Sequence, residues 1–422
     1  MSKPIPGGTY VAPEETTIEQ VATEAYGTPD KAGWISGANS VRPTSKVVAG
    51  ELLIIPGESP AETLVGKDPN EMTFLVGGQE VPMVSGRIIR TIDTGTSGWV
   101  GKMPWTPGEN PALDKATRPY GYERAAAYIG GELLVSGILY ITEPEMGDEG
   151  LSKTLTGFSF TADAVDSHWQ APYEYAGVTL EQLASVRIPP LGINTIVETD
   201  TGGVFSRATA HESDTIFDFL SKLATTRGLL IGDTPQGDLL IHRAKTEGEP
   251  VGTIRESLPM AVGWKAKYDG RERFSVYKCI TPAGTSTAIP LWGAATTTAP
   301  TKPVTTSEVD SQIPRPRFMT FRADDATTGN VKEAARWRKN KQYVKSLSQP
   351  ISVEGWYAPN GKLWRENTLV TVISGVLGVP KGFTFLIRSV EFLLEDRRTT
   401  VLQLIPPQAY TKKDIGDVWE LE

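Results

Sequence analysis

Cysteine is nearly missing from this chain. Cys279 is the single one in 422 residues, so no intrachain disulfide and no cysteine-based metal cluster can form. Histidine is almost as scarce, and His168, His211 and His242 fall in no two-histidine ligand spacing, which argues against a zinc site. No apolar run approaches the roughly 18–20 residues of a membrane span, and the opening MSKPIPGGTY lacks the apolar stretch of a secretory leader. A basic excess is missing too: the formal net charge is −8, so a global footprint for gripping nucleic acid is not there. His211-Glu212-Ser213-Asp214 holds the residue types of a catalytic trio, but neighbours in one short run point in different directions. Helix capping by Ser213 or Asp214 accounts for them. Gly95 to Gly101 matches no dinucleotide fingerprint and reads as a turn between strands. With no nucleophile–base pair or metal constellation in view, the chain reads as non-enzymatic, and no cofactor is expected.

What is plentiful is punctuation. The 42 glycines and 31 prolines favour short strands and turns over a helical bundle, and the length suits about three domains. Residues 9–56 have a β-α-α-β order: a strand at Tyr10-Val11, a helix over Ile18, Val21, Ala22 and Tyr26, a second short helix from Lys31 to Asn39, and a strand from Leu52 to Ile55. Thr17 is placed to cap the first helix and Gly27 to close it. From Met72 a strand series follows, broken by glycine-rich turns, which predicts a sheet closed on itself. A compact α/β stretch comes next. Thr179 and Gln182 have capping-box spacing, Pro189-Pro190 ends that helix, and a second helix carries Ile216, Phe217, Leu220 and Leu223 before Gly228. Thr281 to Pro316 is rich in Thr, Ala, Ser and Pro and reads as an extended excursion. Then Thr328 to Lys345 is helical and basic, with Lys332, Arg336, Arg338, Lys339 and Lys341 outside and Ala334, Trp337 and Val344 inside. A solvated face and contact with an acidic neighbour in an assembly both fit that helix. Four short strands, split by turns at Pro359-Asn360-Gly361 and Asp396-Arg397-Arg398, complete the pattern.

Tyr10-Val11, Thr17-Ile18, Val21-Ala22, Tyr26-Gly27, Ile35, Ala38-Asn39, Gly50, Leu52 and Ile54-Ile55-Pro56 together resemble a LysM module. That resemblance implies glycan-binding loops at Glu14, Glu15, Thr16 and at Ser40, Val41, Pro43. Docking onto another protein is the alternative use of the same surface.

Over most of the chain an ordered series is similar to the baseplate hub protein of Mu-like contractile-tailed phages, of the late control protein D type. The series is TFLVGGQEV, SGRIIRTID, GGELLVSGILYITEP, TLEQLASVRIPPLGI, HESDTIFDFLSKLATTRGLLIGDTPQGDLLIHRA, ISVEGWYAPNGKLWRENTLVTV and FLIRSVEFLLEDRRTTVLQLIPP. The resemblance implies a structural homotrimer in the virion tail, assembled in the host cytoplasm. It would join the six-fold tail tube to the trimeric central spike, touch baseplate wedge and tape measure proteins, and pass DNA only as cargo. The rival readings are a hub of a genome-free contractile particle and a LysM-led peptidoglycan-binding protein. The expected fold class is mainly β with α+β elements: two small β-barrel domains, an inserted α/β segment and an N-terminal LysM-like β-α-α-β module. The expected division is a LysM-like unit at 1–58, a linker at 59–71, a first barrel at 72–171, an α/β insert at 172–245, a second barrel from 246–281 and 345–407, an excursion with the basic helix at 282–344, and a tail at 408–422.

Overall fold

The computed structural model describes residues 3–4, 8–29, 32, 35, 39, 46–55, 64, 67–148, 150–258, 260–280, 287–288, 296–297, 304–322, 328–411 and 415. At the amino-terminal end, the strand Gly8–Val11 pairs antiparallel with Leu52–Ile55, and the helix Ile18–Tyr26 lies between them in sequence. Thr17 accepts from the Gln20 amide while the Gln20 side chain accepts from the Thr17 amide, and Gly27 closes the helix at φ 77°. Both caps are as the sequence predicts, because both depend only on residues within one turn. Tyr10, Ile18, Val21, Leu53 and Ile55 form the core of this unit.

The expected LysM module is nevertheless not evident. Most of the second helix expected at 31–39 falls outside the described residues, as do Ser40, Val41 and Pro43. The polar groups of the first loop are engaged locally: Glu15 binds Lys46 at 2.6 Å, and the Thr16 hydroxyl donates to Gln20 at 3.0 Å. What stands among the described residues is a small α/β unit.

The body of the molecule is a 13-stranded sheet. In its first half the order is Ser85–Thr91, Gly98–Pro104, Gly150–Ser159, Glu132–Gly147, Arg124–Ile129, Met72–Val76, Gln79–Val81, with every neighbour antiparallel. Alternation decides what each strand buries: Ser85–Thr91 turns Gly86, Ile88 and Arg90 inward, and Gly98–Pro104 turns Trp99 and Met103 inward. Arg124–Ile129 is buried on both faces, which its run of alanines permits. In the second half, Ala261–Trp264, Pro350–Glu354, Arg398–Ile405 and Val379–Leu394 follow one another, and Leu369–Ser374 pairs with both Val379–Leu394 and Thr253–Arg255.

Neither half closes into a barrel, contrary to the expectation from sequence. The reason is an edge already in use. One side of Ser85–Thr91 is taken by Gly98–Pro104 and the other by residues Ser389–Leu394 of the long strand Val379–Leu394. No edge is left for Gln79–Val81, so the ladder runs open from there to Ala261–Trp264. The two halves share one apolar core, with Phe74, Trp99 and Leu155 on one side and Trp364, Phe385 and Phe392 on the other. Val276–Ile280, expected in the second barrel, instead lies in a separate three-stranded sheet between Thr305–Val309 and Phe318–Arg322. Part of the predicted excursion is therefore regular strand.

The α/β insert has a core of its own, with Trp169, Phe205, Phe219 and Leu220 inside. Thr179 and Gln182 form the capping box of the helix Leu180–Arg187, as expected. The helix Ile216–Thr226 departs from expectation at its start: Thr215, not Ser213 or Asp214, is the N-cap, accepting from the Asp218 amide at 3.1 Å. Asp214 is occupied elsewhere, by the His211 amide at 2.9 Å and Lys222 Nζ at 2.6 Å.

Candidate assembly interface

Three segments meet where the strand Ser85–Thr91 ends, and charged side chains hold them. Arg90 is 2% exposed. Its Nε donates to Glu366 at 2.7 Å, Nη1 to the Leu134 carbonyl at 2.6 Å and Nη2 to the Asp233 carbonyl at 3.0 Å. One guanidinium thus ties the first half of the sheet, the second half and the α/β insert together. The Asp233 carboxylate accepts from Ser97 Oγ at 2.7 Å and Ser97 N at 3.2 Å. Burial pushes the Asp233 carboxyl up, opposed by Arg90. Burial pulls the other way on Arg90, but Glu366 and Asp233 outweigh it and keep the guanidinium charged.

Three residues further along, Asp93 organises a second charged group. Arg388 grips it through Nε and Nη2 at 3.2 and 3.1 Å, and Tyr410 Oη donates to it at 2.5 Å. Burial, reinforced by Asp93, holds the Tyr410 phenol far above its ordinary range. Between the two groups lies His242, whose Nε2 is 3.2 Å from the Ile92 carbonyl. Asn367 Oδ1 accepts from the Lys245 amide, so its Nδ2 is the donor to His242 Nδ1 at 3.2 Å. The imidazole is then neutral with its proton on Nε2, which agrees with a pKa lowered by burial.

The Asp93 group borders a cleft of about 490 Å³ between the α/β insert and the basic helix Thr328–Ser346. Its lining includes Phe217, Phe321, Arg322, Ala334, Arg338 and Lys341. The helix is held by Val331 and Ala335 against Cys279, and by Trp337 and Val344 against Tyr410 and Ile405. Its basic residues do not form one free face. Arg336 and Lys339 reach Glu308 at 3.2 and 3.9 Å, Arg338 sits 5.6 Å over the Phe321 ring, and Lys332 is exposed. Burial lowers the pKa of Lys341 despite the attraction of Asp93. At the opposite end of the sheet, the strand Glu132–Gly147 outruns its neighbour Arg124–Ile129, so from Thr142 onward it pairs only with Gly150–Ser159 and forms the outer side of a hairpin ribbon that ends at Leu151. This ribbon carries Glu143, Glu145 and Asp148 and leaves Met146 82% exposed.

Of the residues singled out from sequence, Glu14, Glu15 and Thr16 share one surface loop, and the helix residues line the cleft or its flank. Arg90, Glu366, Asp93, Arg388 and Tyr410 went unseen, although Arg90 has a visible signal: it falls in phase with Ile88 on the inward side of its strand.

The chain is similar to known proteins over much of its length. Residues 161–243 match the second domain of the baseplate hub protein gp44-like family, and residues 327–413 match the fourth domain of the Mu phage baseplate assembly protein GpP. The chain is thus similar to baseplate hub and tail proteins of Mu-like phages. The baseplate hub protein gp44 of Escherichia phage Mu is 26% identical over 279 residues, covering 64% of this chain and 70% of that protein. The 43 kDa tail protein of prophage MuSo2 from Shewanella oneidensis is 25% identical with a TM-score of 0.65, over 81% of this chain and 99% of that one. The tail protein from Neisseria meningitidis shares the fold, with a TM-score of 0.65 at 17% identity, over 81% of this chain and 98% of that one. Neither matched domain reaches residues 1–58. The chain groups with structural tail and baseplate proteins of the virion. Among the described residues there is no His, Cys, Asp and Glu cluster suited to a metal ion, and no helix long and apolar enough to cross a membrane.

Proposed function

We propose that the chain is the central hub of a contractile-tail baseplate, a homotrimeric adaptor that joins the six-fold tail tube to a trimeric spike and lines part of the DNA channel. The observation that carries this reading is the ladder between Ser389–Leu394 and Gly86–Thr91. It sets two mainly antiparallel sheet halves side by side in one chain, so three chains in a closed ring would present six such halves. A three-fold partner on one face and a six-fold partner on the other are then both accommodated without a second kind of subunit. Baseplate wedge and tape measure proteins would meet the outer surfaces, including the exposed part of the basic helix at Lys332. The acidic balance of the chain favours DNA that passes without sticking. Light scattering on the full chain, alone and with the spike protein of the same particle, tests the reading. A mass of three chains, or a stable three-to-three complex with the spike, is the expected result. A chain that stays monomeric or dimeric in both cases overturns it.

A further inference from the structure

Two surfaces of this chain match each other and cannot meet within one molecule. The ribbon Thr142 to Leu151 is acidic and carries exposed apolar side chains, Met146 at 82% and Leu151 at 38%, with Ile141 at 42% just before it. Among its described residues, Glu145 has Lys102 at 3.5 Å, and both partners are exposed. The cleft beside the basic helix is the reverse, cationic at Arg322, Arg338 and Lys341 and apolar at Phe217, Phe321 and Ala334. Of the carboxylates in its lining, Asp93 is already bound by Arg388 and Tyr410, which leaves Asp218. Two N–H groups in its wall, Trp337 Nε1 and Arg338 Nε, have no acceptor among the described residues, so the wall is short of oxygen.

Distance rules out an internal contact. The Leu134 carbonyl is bonded to Arg90, close to Asp93 and the cleft, while the strand from Leu134 runs away to Gly147 at about 3.3 Å per residue, roughly 40 Å in all. The outer edge of Thr142–Gly147 also has no strand beside it among the described residues and gains from a partner. We infer that the acidic, methionine-tipped ribbon of one copy docks into the cationic aromatic cleft of the next copy. The contact is head-to-tail, which is the kind that repeats around a ring. This inference rests on the homotrimer reading and deepens it by naming the surfaces.

Charge exchange tests it. The ribbon variant E143K/E145K/D148K and the cleft variant R322E/R338E are each compared with wild type by sedimentation across micromolar to hundred-micromolar concentrations. Unchanged circular dichroism and melting establish that each is folded. Either variant alone is expected to raise the dissociation constant tenfold or more and shift the mass toward one chain, and the two sets of changes combined in one chain restore association. M146D, which leaves the basic cleft intact, should weaken association as well. A three-chain mass that neither single-sided variant disturbs overturns the ribbon contact and leaves the trimer standing. A wild-type mass of one chain at every concentration overturns both.

Discussion

The two charged groups at the end of the strand Ser85–Thr91 are built from the same chemistry and sit three residues apart, yet they are made for different tasks. Arg90 and Asp233 have side chains 2% and 1% exposed, and Arg90 donates to three separate segments, so nothing at that position can shift without stranding a charge. Arg388, which holds Asp93, is 39% exposed, and its partners Asp93 and Tyr410 line the cleft. The first group fixes the relation between the sheet halves and the α/β insert. The second fixes one wall of a surface that other molecules can reach. Burial, more than charge, separates a fastening from a contact.

Three substitutions test how deep that difference goes. Arg90→Met should have the largest effect. It leaves Glu366 and Asp233 buried without their cation, a loss of about 3–5 kcal/mol in stability by urea denaturation. A loss near zero would mean that the segments hold together by packing alone. Asp93→Asn should cost less, about 1–3 kcal/mol, because Arg388 recovers water when its partner goes. The two should also part company in 1 M salt, where screening falls to about 3 Å: the Asp93→Asn loss shrinks and the Arg90→Met loss does not. An equal response to salt would erase the distinction.

The smallest effect belongs to His242, which lies between the two groups. Burial holds its pKa below the ordinary 6.5, so the unfolded chain takes up a proton near that pH and the folded chain resists it. Stability from this residue is complete above pH 6.5 and declines as the pH falls toward the folded-state value, by up to about 1.4 kcal/mol per unit. Urea midpoints from pH 7.5 to 5 for wild type and His242→Gln measure it, and the extra slope should vanish in the variant. A slope that persists belongs to some other group.

Features that depend on near neighbours were legible in the sequence. The capping boxes at Thr17–Gln20 and Thr179–Gln182 and the left-handed Gly27 and Gly228 each need only one turn of chain. Alternation in Ser85–Thr91 and Gly98–Pro104 likewise declares which side chains turn inward. Closure of the sheet was not legible, because it turns on which strand claims the second edge of Ser85–Thr91, and the claimant lies some 300 residues away. The same distance hid Arg388 and Tyr410 from Asp93. At the start of the helix Ile216–Thr226, three adjacent cap-forming residues were available, and the choice fell to Thr215 because Lys222 and the His211 amide had already taken Asp214. The LysM resemblance rested on spacing of apolar residues, which reports a small α/β core and says little about a sugar site.

The seam at Ser389–Leu394 has a mechanical side. Its hydrogen bonds lie across the strands, so a force that slides one half past the other strains all of them together, whereas a force that peels from one end meets them one by one. The subunit is therefore stiffest against lengthwise slip and softest against bending at that line. A ring made of such parts keeps its circumference while allowing each member to flex.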